Sequence, residues 1–387
     1  MIIEEGKAKI HIESDGKISK KLHVFYNPIM TFNRDVSILL LKSLNREMQI
    51  CDLLAGSGIR SIRFLKELPE KTIKTISIND YQADFFPIME KNFQLNGIDD
   101  VNYISENQYQ YSITSNNKNI NKKLQIQKIN VFNEEANVFL LKSNGFDYTD
   151  VDPFGSPNSF LDTAIKRLAR DGILAVTATD IAALAGTYRN PGKRKYWAVP
   201  LKNELMHEIG LRILVRKVQL IGAQYDKALF PVLSYAKDHY FRIYFHCEKS
   251  KEKVDAVLKQ HLHFVYFEDL DFFAGSLEQI FIKIKEKNQK YQLAGPLYAG
   301  SLQDGKLIAA MVKKTEDKKM IQFLEVLKNE ENCVGFYSVN SIAKKYKIKN
   351  MPKLGDLIKK SKGTITHFAP NALKTKMNIE EVLKLIR

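Results

Sequence analysis

Residues 149–157, with the sequence TDVDPFGSP, place two aspartates, a proline and an aromatic residue at the end of an apolar run. Asp152 is a candidate hydrogen-bond acceptor and general base, and the carbonyl group of Pro153 is a second acceptor. Phe154 offers a flat surface on which an aromatic base can stack. These groups suit an exocyclic amino group, because two acceptors on its N–H groups draw the delocalised nitrogen towards tetrahedral geometry. The alternative is a structural aspartate that caps the next helix.

A second group of candidate residues surrounds the glycine-rich turn in DLLAGSGIRS, where Gly56 and Gly58 separate a predicted strand from a helix. Asp80 ends the next predicted strand, where a carboxylate can accept hydrogen bonds from both hydroxyls of an adenosine ribose. A helix-capping role for Asp80 is the alternative. A nicotinamide dinucleotide would use the same features, but Ser61 replaces the third glycine of its pyrophosphate-binding motif. Arg60 suits either a pyrophosphate or the carboxylate of S-adenosylmethionine, so these features favour the methyl donor without excluding the dinucleotide.

Strand and helix patterns alternate through the first 180 residues, which predicts a doubly wound, mostly parallel α/β sheet. The carboxyl ends of parallel strands meet at one edge, so Asp80 and Asp152 are expected in one crevice with the glycine turn. Asp180, which ends the segment TATD, is expected within reach of it, and its role is open between structure and site. Asp150 is expected on the opposite side of its strand as a structural residue. Residues 105–128, rich in Asn, Gln, Ser and Lys, predict a surface insertion.

A chain of 387 residues exceeds one ordinary hydrophobic core, so two domains are expected. Residues 201–226 predict a long helix, and residues 230–248 predict two adjacent strands at an antiparallel edge of the sheet. We place a catalytic domain with an N-terminal extension at residues 1–246, and a smaller α+β domain at residues 247–387. The segment 337–368 has the pattern helix, turn, helix, strand, which is typical of a winged-helix-like end.

The net charge of +15 is concentrated in the last 50 residues, which contain twelve basic and three acidic side chains. Clustered positive charge indicates a polyanionic partner, whereas a solvated lysine-rich surface and adaptation to heat are the alternatives. The three cysteines are far apart and predict neither disulfides nor a zinc site. No apolar run approaches the roughly 18 residues that span a membrane, and the N-terminal residues lack a signal-peptide pattern. We therefore expect a cytosolic protein with no membrane partner, and a monomer is the default expectation.

An RNA base must leave its stack before its amino group can react, which calls for a second aromatic wall and for phosphate anchors. The segment VFYNP supplies Phe25 and Tyr26 ahead of the first predicted helix, and Arg34 follows in NRD. Phe25 is a candidate for the second wall, although aromatic residues lie in hydrophobic cores more often than at stacking sites.

With these motifs in order, the chain resembles the tRNA (guanine-26-N2)-dimethyltransferases. The shared segments are EGKAKI, VFYNP, FNRD, SGIRSIRFLKE, IND, NFQLNG, DVDPFGSPNSFLDTAI, GILAVTATDIAALAG, RKYWAVPLKNELMHEIGLRILV, YAKDHYFRIYF, GPLYAGSLQD and THFAPNALKT. They cover most of the chain, and DPFGSP with ATD and KDHYFR is more specific than the glycine turn. The resemblance implies a Rossmann-like class I methyltransferase fold. It also implies methylation, usually twice, of the N2 amino group of the guanine at tRNA position 26, with S-adenosyl-L-methionine as the methyl donor.

The resemblance further implies roles for individual residues. Those assigned to the methyl donor are Arg34, Arg60, Asp80, Glu135 and Ala136. Glu135 and Ala136 would lie beside the adenine, and Glu135 stands where an aspartate is common. Asp152 would be catalytic, and the guanine would be framed by Phe25, Pro153 and Phe154. Some relatives carry a zinc-binding cysteine cluster ahead of the GPLYAG segment, but this chain has no cysteine between Cys247 and Cys333, so no metal is predicted.

Two other classes of function compete with this interpretation. A nicotinamide-dependent oxidoreductase would use the glycine turn, but the sequence has no hydride-transfer constellation and would leave Asp152 without a task. A non-catalytic nucleic-acid-binding protein would depend on the basic C-terminal segment, and its activity would survive Asp152→Ala. If residues 338–387 bind tRNA phosphates, their removal is expected to weaken RNA binding and to flatten its salt dependence. The number of methyl groups added and the tRNA position modified are left open.

Overall fold

The chain divides into two compact units, residues 1–176 and 177–387. The computed structural model describes residues 1–12, 26–98, 100–112 and 128–386. The division between the units precedes the predicted domain boundary at residue 246. That boundary separates a catalytic from an RNA-binding domain, and it stays a prediction. Within the described ranges, no helix is both long enough and apolar enough to cross a membrane.

The first unit alternates strands with helices, as predicted. Its strands are β1 (Ile2–Glu5), β2 (Ala8–His11), β3 (Met48–Asp52), β4 (Ile73–Asn79), β5 (Asp100–Ser105), β6 (Gln108–Ser112), β7 (Lys128–Phe132), β8 (Phe146–Val151) and β9 (Leu168–Ala178). Its helices are α1 (Thr31–Leu44), α2 (Ile59–Glu67), α3 (Phe85–Gln94), α4 (Ala136–Lys142) and α5 (Asn158–Arg167). Strand β9 ends two residues beyond the end of the unit.

Seven strands of this unit lie in one sheet with the order β9-β8-β3-β4-β7-β6-β5. Strands β9, β8, β3, β4 and β7 run parallel, whereas β6 and β5 are antiparallel to their neighbours. The chain winds from β3 to β4 on one side and later returns to β8 on the other, so the direction of winding reverses between β3 and β8. Doubly wound sheets bind their ligands at such a reversal. The glycine turn follows β3 and Asp152 follows β8, so the structure places both at this point.

Two local features differ from the predicted elements. The predicted insertion at residues 105–128 contains strand β6, which pairs with β7, while residues 113–127 lie outside the described residues. The helix predicted over residues 159–172 ends at Arg167, and β9 begins directly after it. Helix-favouring residues in LARDG enter β9 because Leu168 pairs with Phe146 of β8. This tertiary contact overrides the local propensity.

The turn between β3 and α2 depends on Gly58, which has a φ of 74° and stands at the N-terminal end of α2. A Cβ atom at this position would overlap the thioether of Met89, a side chain that is fully buried. Gly97 has a similar φ of 71°, but a Cβ atom there would meet no heavy atom within 4 Å. A substitution at Gly97 would therefore cause backbone strain alone, whereas one at Gly58 would cause both backbone strain and steric overlap.

One buried carboxylate ties the N-terminal hairpin of β1 and β2 to the helices α1 and α2. Glu5 accepts hydrogen bonds from Arg34 Nε at 2.7 Å, Arg34 Nη2 at 2.5 Å and Arg63 Nη1 at 2.8 Å. All three side chains are buried. Burial alone would raise the pKa of Glu5, but the hydrogen bonds and charges of the two arginines outweigh it and lower that pKa to about 2.

The second unit is of the α+β class. Its helices are α6 (Ile181–Leu184), α7 (Arg189–Tyr196), α8 (Met206–Ala223), α9 (Lys251–Leu258), α10 (Leu277–Lys287), α11 (Gly305–Val312), α12 (Lys318–Asn329), α13 (Val339–Tyr346), α14 (Leu354–Ser361) and α15 (Ile379–Ile386). Its strands are β10 (Lys227–Lys237), β11 (Tyr240–Lys249), β12 (His261–Phe267), β13 (Phe272–Gly275), β14 (Tyr291–Tyr298), β15 (Tyr337–Ser338), β16 (Thr364–Ile365) and β17 (Ala372–Lys374).

The strand pairing of the second unit confirms two predicted patterns. Strands β10 and β11 form an antiparallel hairpin, as the two adjacent runs indicated. Helices α13 and α14 are followed by β16, which gives the predicted order helix, turn, helix, strand. The C-terminal strands form a small sheet in the order β15-β17-β16, and a second small sheet has the order β13-β12-β14.

The basic residues near the C-terminus are not all at the surface. Ten are exposed: Lys344, Lys345, Lys347, Lys349, Lys353, Lys359, Lys360, Lys362, Lys376 and Lys384. Lys374 is 1% exposed and lies 2.7 Å from a carboxylate oxygen of Glu208 and 3.8 Å from one of Glu330. Removing residues 338–387 would leave these two carboxylates buried without that cation, a costly state. Truncation therefore tests stability rather than RNA binding, and neutralising exposed lysines is the appropriate experiment.

Gly58→Ala is expected to lower the free energy of unfolding by about 3 kcal/mol, because left-handed backbone strain of about 1–2 kcal/mol adds to overpacking of about 1–3 kcal/mol. Gly97→Ala is the matched control and should lose only about 1 kcal/mol. Urea denaturation of both variants measures the difference. Equal losses would show that Met89 moves aside at no cost.

Glu5→Gln is expected to cost about 3 kcal/mol at neutral pH, and progressively less as the pH falls from about 4.5 towards 2. The pKa of Glu5 in the folded protein lies below its ordinary value of 4.5, so its ion pairs stabilise the fold fully above that pH and are lost on protonation. Urea denaturation across this pH range measures the effect. Glu4→Gln, at an exposed position, should change stability by less than about 0.5 kcal/mol throughout. A pH-independent loss in Glu5→Gln would contradict the ion-pair explanation.

Candidate active site

Asn79, the last residue of β4, joins the ends of three neighbouring strands. Its carbonyl oxygen accepts from the N–H of Ala55 at 2.9 Å, and its amide donates to the carbonyl oxygens of Leu53 at 3.2 Å and Glu134 at 3.1 Å. Leu53 follows β3, and Glu134 lies beyond the end of β7. Because the Asn79 side chain is fully buried, these bonds fix the turn after β3 against the ends of β4 and β7.

Asp80 follows Asn79, and its carboxylate reaches back to the glycine turn. Oδ2 accepts the N–H of Gly56 at 2.7 Å, and Oδ1 accepts the N–H of Gln82 at 3.1 Å. Burial raises the pKa of Asp80, and the backbone N–H groups act in the opposite direction. Asp84, rather than Asp80, stands at the N-terminal cap position of α3, so the helix-capping alternative is wrong. A carboxylate has about four acceptor positions, more than these backbone N–H groups use, so a ribose hydroxyl can also bind.

Arg60, in the first turn of α2, is the buried cation of the site and is 5% exposed. Its Nη1 donates to Asn33 Oδ1 and Ser37 Oγ of α1, both at 3.1 Å. Nη2 donates to Asp152 Oδ2, and Nη1 lies 3.4 Å from Asp150 Oδ2. The guanidinium therefore links α1, α2 and the end of β8, and its positive charge lies beside the carboxylates of Asp150 and Asp152.

Asp150 and Asp152 both face Arg60, so the prediction that Asp150 points to the opposite side was wrong. Side chains of a strand alternate with a period of two, and residues i and i+2 therefore share a face. Asp150 is 1% exposed and also accepts a hydrogen bond from the hydroxyl of Tyr148 at 2.6 Å. Its burial leaves it to hold Arg60 rather than to meet a substrate.

Asp152 has the geometry of an acceptor that is held at one oxygen. Its side chain is 18% exposed, and Oδ2 is bound by Arg60, whereas Oδ1 makes no hydrogen bond with the part of the chain that the structure describes. Pro157, rather than Asp152, stands at the N-terminal cap of α5, so the helix-capping alternative for Asp152 is wrong. Phe154 is 39% exposed. Asp152, with one oxygen available to accept a hydrogen bond, therefore lies two residues before the partly exposed ring of Phe154.

Two other predicted donor-binding residues already have partners within the chain. Arg34 is bound to Glu5 through Nε and Nη2, and its Nη2 also donates to the carbonyl oxygen of Asn27 at 3.0 Å. Glu135 caps α4 by accepting the N–H groups of Asn137 at 2.9 Å and Val138 at 3.0 Å. These bonds fix the directions of both side chains. Their contacts with the methyl donor stay predictions.

Ala136 is the first residue of α4 and is 4% exposed, and its place beside the adenine stays a prediction. Phe25, the predicted second wall for the base, lies outside the described residues. Asp180 belongs to the second unit, where it accepts a hydrogen bond from the hydroxyl of Tyr196 at 2.5 Å and lies 3.5 Å from Lys195 Nζ. These bonds join the start of α6 to the end of α7, and the role of Asp180 in the site stays open.

The sequence analysis missed the residues that hold Arg60 in place. Asn33 and Ser37 are fully buried and lie one helical turn apart, so they share a face of α1. The four-residue spacing of these two polar residues in the predicted helix was the available signal. Asp52 was also missed. It is 2% exposed and accepts from Ser61 Oγ at 2.7 Å, and burial raises its pKa to about 6 against the charge of Arg60.

The polar groups around the glycine turn suit a charged nucleoside cofactor. Ser57 Oγ is buried and has no hydrogen-bond partner within the described ranges. Asp80 offers acceptors on one side of the turn, and Arg60 offers a cation on the other. This combination fits S-adenosylmethionine, which carries hydroxyl, carboxylate and ammonium groups. No set of three His, Cys, Asp or Glu side chains in the described residues is arranged to hold a metal ion, and the predicted absence of a metal stays a prediction.

Comparison with known proteins gives consistent matches over the whole chain. A family model described as N2,N2-dimethylguanosine tRNA methyltransferase matches residues 6–119 and 101–387. The tRNA (guanine(26)-N(2)/guanine(27)-N(2))-dimethyltransferase of Aquifex aeolicus is 35% identical over 99% of this chain and 95% of its own length. The tRNA (guanine(26)-N(2))-dimethyltransferase of Methanobrevibacter smithii is 36% identical over 100% and 96%.

The solved structure of Trm1 from Pyrococcus horikoshii, in complex with S-adenosyl-L-methionine, superposes with a TM-score of 0.83 at 32% identity and covers 100% of both chains. This match confirms the predicted Rossmann-like methyltransferase fold. By sequence and by structure, the chain belongs to the N2,N2-dimethylguanosine tRNA methyltransferase family.

Proposed function

We propose that this protein transfers methyl groups from S-adenosyl-L-methionine to the N2 amino group of guanine at tRNA position 26, and that it forms N2-methylguanosine and then N2,N2-dimethylguanosine. The observation that carries the proposal is the pairing of a half-anchored carboxylate, Asp152, with the exposed ring of Phe154 at the reversal point of the sheet. The names of the Methanobrevibacter and Aquifex relatives support the choice of substrate. The Aquifex name adds guanine 27, so the position modified is part of the test.

Asp152 acts as acceptor and base in this proposal. Arg60 holds Oδ2 and so fixes the direction of the carboxylate, while Oδ1 can accept one N–H of the guanine amino group. The carbonyl group of Pro153 is the second acceptor, and Phe154 stacks against the base. S-adenosyl-L-methionine supplies the electrophilic methyl group when it is bound. Phe25 is proposed as the opposite wall.

Residues around the glycine turn bind the methyl donor in this proposal. Asp80 accepts hydrogen bonds from the ribose, and Ser57 has a hydroxyl that requires a partner. Arg34, Arg60, Glu135 and Ala136 are proposed to complete the donor site. In this arrangement the guanidinium of Arg60 would bind the carboxylate of the methyl donor in addition to those of Asp150 and Asp152. The nicotinamide alternative gains no support, since no hydride-transfer constellation accompanies the turn.

We assign catalysis to residues 1–246 and tRNA binding mainly to residues 247–387. The ten exposed lysines of the last 50 residues support this assignment, because lysines bind phosphates and release counterions on doing so. A tRNA-modifying activity also agrees with a cytoplasmic location, which we propose as well.

Asp152→Ala is expected to lower kcat for methyl transfer by at least about a hundredfold, because the acceptor and base for the amino group is lost. Labelled S-adenosyl-L-methionine and unmodified tRNA, followed by nucleoside digestion and position mapping, measure product and site together. Asp162→Ala, at an exposed position of α5, is the matched control and should retain full activity. Full activity in Asp152→Ala would contradict the mechanism, and no labelled guanosine with the unchanged protein would overturn the proposed function.

Asp80→Asn is expected to raise KM for S-adenosyl-L-methionine about 10- to 100-fold, because hydrogen bonds to a charged acceptor are worth about 1.5–3 kcal/mol. Affinity for tRNA should not change. Steady-state kinetics and direct tRNA titration check both statements. Asp84→Asn, on an exposed residue near the start of α3, controls for the loss of one carboxylate nearby. If both variants bind the donor like the unchanged protein, Asp80 does not hold the ribose.

A further inference from the structure

Helix α7 in the second unit carries an unusual density of exposed positive charge. Its sequence, RNPGKRKY, contains four cations and no acid, and Arg189, Lys193, Arg194 and Lys195 are all exposed. Lys195 has a carboxylate partner in Asp180, at 3.5 Å. Among the residues that the structure describes, the other three cations have neither a hydrogen bond nor an ion pair. They are a set of unpaired charges on one short helix.

This arrangement works against the stability of the helix. Arg189 and Lys193 are four residues apart, a spacing at which like charges destabilise a helix by a few tenths of a kcal/mol. Gly192 in the interior costs up to about 1 kcal/mol more than alanine. The helix is held instead by close packing, because a Cβ atom at Gly192 would lie 2.8 Å from the carbonyl oxygen of Ala183. The buried Tyr196 anchors its end through the hydrogen bond to Asp180. The fold therefore fixes a basic helix in place without using its charges.

Exposed aromatic rings flank the two ends of α7. Tyr188 precedes the helix and is 61% exposed, and Trp197 follows it and is 53% exposed. Trp197 has a φ of 55°, which is unfavourable for a bulky residue. Lys217 Nζ lies 2.8 Å from the centroid of the indole ring, and Arg216 Nη1 donates to the carbonyl oxygen of Trp197 at 3.4 Å. The indole ring of Trp197, at the end of the basic helix, therefore also has cationic side chains of α8 beside it.

Arg216, which donates to the carbonyl oxygen of Trp197, also affects the pKa values of three other groups. Burial, reinforced by the charge of Arg216, lowers the pKa of Lys217 to about 8 and that of His261 to about 4. The same two causes lower the pKa of His263. The lowered pKa values mean that the protonated, positively charged form of each group is less favourable here. No carboxylate is among the causes given for these three pKa values. An anion at α7 would meet the charges of Arg189, Lys193 and Arg194, which are exposed and have no ion pair among the described residues.

We infer that α7, together with Tyr188, Trp197 and Arg216, is a docking surface for the sugar-phosphate backbone of the tRNA substrate. The inference rests on the proposed function and extends tRNA contact beyond the C-terminal lysines. Charge complementarity selects a polyanion, and Arg with aromatic rings is the combination that binds phosphates and stacks on unpaired bases. An eight-residue helix is about 12 Å long, so its cations can reach successive phosphates of one strand.

The test is the triple variant Arg189→Gln, Lys193→Gln, Arg194→Gln in the full-length chain. Gln keeps most of the side-chain length and removes only charge. The slope of log Kobs against log[salt] for unmodified tRNA is expected to become shallower by about 2–3, since each lost phosphate contact contributes about 0.7–0.9. KM for tRNA should rise at least tenfold at moderate salt, while kcat at saturating tRNA and the affinity for S-adenosyl-L-methionine stay unchanged. Circular dichroism confirms folding, and Lys193→Glu alone repeats the test if the triple variant is unstable.

The matched control is Lys71→Gln, Lys74→Gln, Lys91→Gln, which removes three charges from exposed positions of the first unit, outside the segment assigned to tRNA binding. It should leave the salt slope within about 0.5 of the unchanged protein. An unchanged slope in the α7 variant, or equal losses in both variants, would overturn the inference, because only net charge would then matter. The inference would also be overturned if the α7 variant bound a folded acidic protein more weakly than the unchanged protein does, but bound tRNA equally well. Because binding is measured directly, the result stands apart from the proposed function, which fails only if the unchanged protein methylates no guanosine.

Discussion

The buried guanidinium of Arg60 is the constraint on which the site in the first unit depends. It lies between two carboxylates, and removing any buried charge from its partners costs several kcal/mol. Arg60 reaches both Asp150 and Asp152 from the first turn of α2. That reach requires the tight glycine turn after β3 and the buried amide and hydroxyl of Asn33 and Ser37 on α1. The same ion pairs that hold the elements together also aim the carboxylate oxygen that the proposed reaction uses.

Local patterns were sufficient to predict the parallel sheet and the position of Asp80 and Asp152. Both residues follow apolar runs, and strand ends in a doubly wound sheet share one edge. Contacts between distant segments could not be read in this way. Glu5 binds Arg34 and Arg63 across 29 and 58 residues of sequence, and the end of α5 is decided by pairing of β9 with β8. The wrong prediction that Asp150 faces away from Asp152 was a different case. The two-residue period of a strand places both on one face, and that rule was misapplied.

Counting charge along the sequence was a poor guide to charge at the surface. The C-terminal count of twelve cations includes Lys374, which is buried with Glu208 and Glu330 and belongs to the core. The run at residues 189–195 is shorter and raised no expectation, yet three of its cations have no partner in the described part of the chain. A buried cation with carboxylates stabilises the fold, whereas an exposed cation held rigidly without one raises the local potential. Only the folded structure distinguishes the two.

The anchored geometry of Asp152 also bears on two successive methylations of one nitrogen. An unmodified amino group has two N–H bonds, and a monomethylated one has a single N–H. In the proposed reaction, Oδ1 of Asp152 accepts only one of them in each round, because Oδ2 is held by Arg60. The Pro153 carbonyl group has a partner in the first round alone, so the first methyl group must take the place of that hydrogen bond in the second. In the proposed reaction Asp152 therefore remains the hydrogen-bond acceptor of the amino group through both rounds, and the partly exposed ring of Phe154 lies two residues further along the chain.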